Sequence, residues 1–135
     1  MSEAIEYLAI ILLNFLYQSK IIFLTPFNSL MIYIDKIRQI FFSNQDPDVV
    51  SSLPLWQKLT SHELSIHASE IWASSLLHLV SEANIEAIPD FGHKIPFNNN
   101  SALQAIPAHY LHSAGSFQLY DPTARSLFTG KLGTA

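Results

Sequence analysis

Residues 38–53 read RQIFFSNQDPDVVSSL. Arg38 to Ser43 is strand-like, and Asn44-Gln45-Asp46-Pro47-Asp48 is then built wholly of turn-formers and hydrogen-bond acceptors. A strand that ends on such a loop is a common place for chemistry, because a rigid element holds the loop while its side chains stay accessible. Beyond the loop, Val49 to Leu59 can form a helix. Pro54 restricts the start of that helix to near Leu53, since proline lacks the N–H that only the first turn can spare. Taken alone, Asp46-Pro47-Asp48 is a turn and a helix cap before it is anything else.

Working outward toward the C-terminus, Leu64 to Ala68 reads as a strand. Ser69 is a plausible N-cap for a helix running to about Val80, with Ile71, Trp72, Leu76, Leu77 and Val80 as its apolar face. From Glu86 onward, short extended runs alternate with turns: EAIPD, KIPF, ALQAIPAHY, SFQLYDP and SLFTG. Toward the N-terminus, Asn28 to Ile37 suggests a helix, and Lys20 to Leu24 a strand ended by Thr25-Pro26. Ile5, Leu8, Leu12, Phe15 and Leu16 share one helical stripe, which predicts a helix over the first twenty or so residues. Strands alternating with helices and followed by a run of strands give an α/β or α+β class.

The chain has 135 residues, enough for one domain, with 13% charged and 49% hydrophobic residues. Typical domains carry roughly 25% charged residues, so this composition suits a piece of something larger. Seven Lys+Arg in a net charge of -4 offer no basic stripe, which argues against nucleic acid as a partner. The absence of cysteine removes disulfides, iron–sulfur clusters and thiol nucleophiles, and fits a reducing cytoplasm. Tyr7 to Tyr17 and Ile21 to Ile34 are strongly apolar, but Lys20 separates them and Pro26 and Asn28 interrupt the second. Neither reaches the roughly 18–20 uninterrupted apolar residues of a membrane span, so a membrane partner is not expected. Glu3 and Glu6 stand where a signal peptide needs positive charge. Phosphate loops and nucleophile elbows are absent, and no catalytic residue is assigned.

Three segments, in order, resemble the metallo-β-lactamase-like domain of oxygen-binding di-iron and flavodiiron proteins. Phe42 to Leu53 is similar to a family word reading Ser-His-Gln-Asp-Pro-Asp before an apolar helix. Ile106 to Phe117 (IPAHYLHSAGSF) is similar to an Ala-His-Phe-Leu-His-Ser-Pro-Gly-Asn-Phe run, and Tyr120-Asp121-Pro122 with Leu127 to Lys131 is similar to Tyr-Asp-Pro followed by Leu-Phe-Ser-Gly-Asp. Between them, Glu70-Ile71-Trp72 and Leu77-His78 match a family helix. The resemblance covers about Lys20 to Ala135. It implies a partial αββα sandwich over residues 1–135, with residues 1–19 an atypical apolar segment. It would also put a strand, not a helix, near the N-terminus.

The resemblance further implies a pair of irons at the sheet edge that bind or reduce dioxygen or nitric oxide with electrons from a flavin. The flavin-binding half has no counterpart in this chain. Asp46, Asp48 and His112 match metal-ligand positions, whereas Asn44 stands where the family has a histidine and Lys131 where it has a bridging carboxylate. An amide offers only an oxygen where iron prefers an imidazole nitrogen, and an ammonium would repel the cations it faces. A last family histidine is expected to fall beyond Ala135. The expectation is a degenerate di-iron domain with activity lost or weak. The partners this reading suggests are a second copy of the chain, as a homo-oligomer, or a redox protein. The other readings are a non-catalytic interaction module, associating through an incomplete sheet, and a gene remnant. His62, His67, His78 and His93 read as surface or half-buried histidines, and Trp56 and Trp72 as core anchors.

Overall fold

In the computed structural model the described residues are 7–10, 37–98 and 100–130. Eight strands fall into two sheets. The first is parallel, in the order β1 (Tyr7–Ile10), β2 (Ile37–Phe41), β3 (Ser65–Ser69) and β4 (Asn84–Ile88). The second is an antiparallel meander of β5 (Lys94–Asn98), β6 (Ser101–Pro107), β7 (Phe117–Asp121) and β8 (Ser126–Phe128). Three short helices, α1 (Pro47–Val50), α2 (Leu53–Leu59) and α3 (Ala73–Leu76), follow strands of the parallel sheet.

Alternation along the strands separates two cores. Ile40, Ile66 and Ala68 face the helices and pack with Val50, Leu53, Trp56, Trp72 and Leu76. Phe41 and Ile88 point the other way and pack with Ile95, Leu103, Ala105, Phe117 and Leu119 of the second sheet. Successive side chains of a strand alternate faces, so a strand covered on both sides must be apolar, or polar and satisfied, at every position. Helices, parallel sheet and meander thus form three stacked layers, in keeping with the α/β sandwich expected. Trp56 and Trp72 are buried core anchors, as their sequence context suggested.

Two expectations about helices are corrected. The stripe through Ile5, Leu8 and Leu12 predicted a helix, yet Tyr7–Ile10 is a strand paired in parallel with β2, with Tyr7 opposite Ile37. A continuous apolar run is how a parallel-sheet strand reads, and its periodicity does not distinguish it from a buried helix. The helix expected from Ser69 to Val80 shrinks to Ala73–Leu76, and Ile71 and Leu77 are exposed. Ser69 ends β3 instead. Its hydroxyl accepts the Ile71 N–H, and the Glu70 N–H stays in the sheet by donating to the Ile88 carbonyl. After Leu76 the chain tightens into turns in which Leu77, His78 and Leu79 donate three residues back, to Ser74, Ser75 and Leu76. The Pro54 boundary holds, with α2 starting at Leu53. The strand expected over Lys20 to Leu24 lies outside the described residues, as does the helix from Asn28, except that Ile37 opens β2.

Candidate metal centre

The loop after β2 lies at the seam of the two sheets. Phe42 extends the parallel ladder by donating its N–H to the His67 carbonyl at 2.9 Å, and its ring meets Trp72 edge-on with centroids 6.4 Å apart. One residue on, the Ser43 carbonyl accepts the Phe117 N–H of β7 at 2.9 Å, so backbone bonds tie the loop to both sheets. Asn44 is buried there, 2% exposed. Its amide nitrogen donates to the Ser43 hydroxyl at 3.3 Å, and its oxygen accepts the Asp46 N–H at 3.0 Å. That is an Asx turn, in which the side chain imitates a backbone carbonyl and closes the bend.

Asp46 then caps α1 through its backbone, its carbonyl accepting the Val50 N–H, while the carboxylate makes no cap bond to the helix. The carboxylate points across to the segment after β6. His112 Nε2 lies 2.7 Å from Asp46 Oδ2, and both side chains are about a quarter exposed. Between Ala108 and Ser116 that segment is a closed loop, with the Ala108 N–H donating to the Ser116 carbonyl and the Tyr110 N–H to the Ser113 carbonyl. Tyr110 adopts φ 63, an uncommon left-handed conformation for a bulky residue. The two histidines of the loop part company. His109 pairs through Nε2 with the Asp90 carbonyl at 2.8 Å and stands edge-on to Phe117, which leaves His112 alone facing Asp46.

Gly115 anchors the same loop against the parallel sheet. It has φ +73, and a Cβ there would lie 2.6 Å from the Ser69 hydroxyl and 2.9 Å from Trp72 Nε1, which donates to the Gly115 carbonyl. A small cleft of about 10 Å³ results, lined by Ser43, Asn44, Leu111, His112, Ser116 and Thr129 among others. Ser43 is the residue that sequence reasoning overlooked. It braces Asn44, receives Phe117, and its hydroxyl would be 2.8 Å from a Cβ at Gly130. A serine next to a turn carries no sequence signal for such a junction.

Of the ligand positions expected from sequence, the structure brings Asn44 and His112 to one cleft, with Asp46 bonded to His112. The side chain of Asp48 and the whole of Lys131 lie outside the described residues. Among the described residues the donor set at these positions is one imidazole, one carboxylate and one amide. The one imidazole and the one carboxylate are bonded to each other, and the amide oxygen is engaged by the Asp46 N–H. Among the described residues no three His, Cys, Asp or Glu side chains converge as a metal site. Elsewhere His62 and His93 are half-buried and His78 is exposed, as expected, but His67 is 1% exposed, a correction.

The two stacked sheets with this loop at their seam define a metallo-β-lactamase-like fold. The chain belongs to the ODP family of β-lactamase-like proteins: the family described as "ODP family beta lactamase" matches residues 21–135. Among solved structures it is similar to the apo state of the chemotaxis sensor ODP from T. denticola, at 42% identity and TM-score 0.67, over 76% of this chain and 41% of that one. It is likewise similar to a peroxy diiron species of chemotaxis sensor ODP, at 40% identity and TM-score 0.64, over 76% of this chain and 42% of that one. A metal-soaked flavodiiron core from Synechocystis sp. shares the fold at 21% identity and TM-score 0.61, over 78% of this chain and 28% of that one. The chain therefore spans about two fifths of the length of its ODP relatives. No curated protein matches it. No helix among the described residues is long and apolar enough to cross a membrane.

Proposed function

We propose that this chain is a degenerate di-iron domain of the ODP family, with iron loading and any binding or reduction of dioxygen or nitric oxide lost or weak. The observation that carries the reading is the 2.7 Å contact of His112 with Asp46 beside a buried Asn44. A metal ligand must present a lone pair free of protons, and a hydrogen-bonded imidazole–carboxylate pair holds a proton between its two donor atoms. A cation entering the cleft would have to displace that proton, and it would find an amide where relatives by resemblance have a histidine. Lys131, at the position of the family's bridging carboxylate, adds a charge of the wrong sign. Asp48 is the remaining acidic ligand position. No flavin site is assigned to the chain, and the lack of cysteine suits a reducing cytoplasm.

The test is the metal content of protein expressed with added iron, read by elemental analysis. The expected result is far less than one iron per chain. A stoichiometric iron pair would sink the degenerate reading.

A second reading, an interaction module, has its own support. Three loops, after β3, β4 and β6, are tied together, Asp90 N–H to Glu70 and His109 to the Asp90 carbonyl. They carry the exposed apolar residues Ile71, Phe91, Tyr110 and Leu111. Exposed apolar groups gathered in one region favour association with another protein surface or a second copy.

A further inference from the structure

His67 occupies a position that the metal centre does not use. On β3 it alternates with Ile66 and Ala68, which face the helices, so its imidazole points into the space between the two sheets. There it is 1% exposed. Gln39 of β2 fixes its tautomer. The Gln39 amide nitrogen donates to the Pro96 carbonyl of β5 at 2.8 Å, which leaves the amide oxygen to accept from His67 Nε2 at 3.1 Å. Nε2 therefore carries the hydrogen and Nδ1 holds the lone pair. Among the described residues Nδ1 is buried without a hydrogen-bond partner, and Glu86 Oε2 lies 3.6 Å from it. Glu86 itself is held by the Ser65 hydroxyl at 3.1 Å.

The titratable and charged groups that act on this imidazole are few. Glu86 faces it from β4, and His93, whose Nε2 is also buried without a partner, acts on it from the approach to β5. Gln39 on β2 is neutral, and β6 and β7 present Leu103, Ala105, Phe117 and Leu119 to the space between the sheets.

We propose that the chain Glu86–His67–Gln39–Pro96 is a proton-responsive latch between the two sheets, in which a proton taken up at His67 Nδ1 weakens their contact and the β2–β3 pairing that leads into the cleft loop. The physical conflict is plain. Protonation turns the Nδ1 lone pair into a donor toward Glu86, but it places a cation in a buried space that β6 and β7 line with apolar side chains, and next to a second histidine. Burial is the larger influence and holds the imidazole below the ordinary histidine value of 6.5, Glu86 opposes it, and His93 adds to it. The unfolded chain then binds the proton more readily than the folded one. This part of the stability is full above the unfolded value and is lost as pH falls through it. The link to the cleft is one bond long, because the His67 carbonyl receives the Phe42 N–H two residues ahead of Asn44.

The test compares urea unfolding of the full chain with that of His67→Gln from pH 7.5 to pH 5, alongside an NMR titration of the His67 ring in the parent, Glu86→Gln and His93→Gln. The expected result is that the parent loses stability more steeply with acid than His67→Gln. The ring should titrate at a lower pH in Glu86→Gln and at a higher pH in His93→Gln than in the parent, and the Phe42 amide resonance should move with it. A merely packing role for His67 would not produce opposite shifts from the two neighbours. Parallel stability profiles would overturn the proposal, and so would a ring titration unmoved by both neighbours. If His67→Gln fails to fold, the ring titrations in the other three proteins decide the question.

Discussion

Asn44 holds its place by two hydrogen bonds, one to Ser43 and one from the Asp46 N–H. An imidazole there could supply the nitrogen ligand that the amide lacks, close to the paired Asp46 and His112. It would also give up the Asx turn, a loss of about 1 kcal/mol for a hydrogen bond of this kind. Lys131 follows Gly130, whose backbone approaches the Ser43 side chain closely enough to exclude a Cβ. If these two residues are the defects, Asn44→His with Lys131→Asp should bind iron or zinc where the parent does not, and each change alone should do less. Losses around a metal's ligands cost about 10–100-fold in affinity, and two changes at one ion should couple rather than add. Isothermal titration of the parent, the single variants and the double variant measures this. Equal affinity in parent and double variant would show that neither residue is what weakens the site.

The loop carrying His112 owes its position to α3 and the end of β3. Trp72 reaches from the turn before α3 to bond the Gly115 carbonyl, and Ser69 closes the other side of the glycine. Gly115→Ala meets both a positive φ and two atoms inside 3 Å. It should lower unfolding stability by about 1–3 kcal/mol, read as a lower urea midpoint. An unchanged midpoint would mean that the loop shifts freely and does not fix His112. These elements were unevenly legible in sequence. Strand β2, the Pro54 boundary and the runs from Glu86 onward could be read because turn residues punctuate short extended segments. The helix after Ser69 could not, since the hydroxyl that looks like a cap instead stabilises a turn leaving the sheet. His67 between Ile66 and Ala68 reads as the exposed member of an alternating strand, and only a second sheet over that face makes it buried. The meeting of Asp46 with His112, sixty-six residues apart in the chain, was accessible through resemblance, as no local pattern places two loops of different sheets together.

At the scale of the whole molecule, the parallel sheet is covered by helices on one face and by the meander on the other, which leaves the strand edges and the linked loops after β3, β4 and β6 as surfaces for contact. Among the described residues β4 pairs on one side only, with β3, and β8 only with β7. An unpaired edge is a template for another strand, but Glu86 on β4 and the three-residue length of β8 both blunt that route. The linked loops have no such safeguard. Phe91 and Tyr110 are 84% and 85% exposed, and Leu111 and Ile71 are also more than half exposed. Their loops are joined through Asp90, so they would enter or leave an interface together. If the chain associates through this region, the parent should show a mass above that of one chain by light scattering, and Phe91→Ser with Leu111→Ser should return it to a single chain. Both positions are exposed, so the double variant should keep its unfolding midpoint to within about 0.5 kcal/mol for each change. A parent that is monodisperse as a single chain at high concentration would remove the case for self-association, and an assembly that survives the double variant would move the interface to the strand edges.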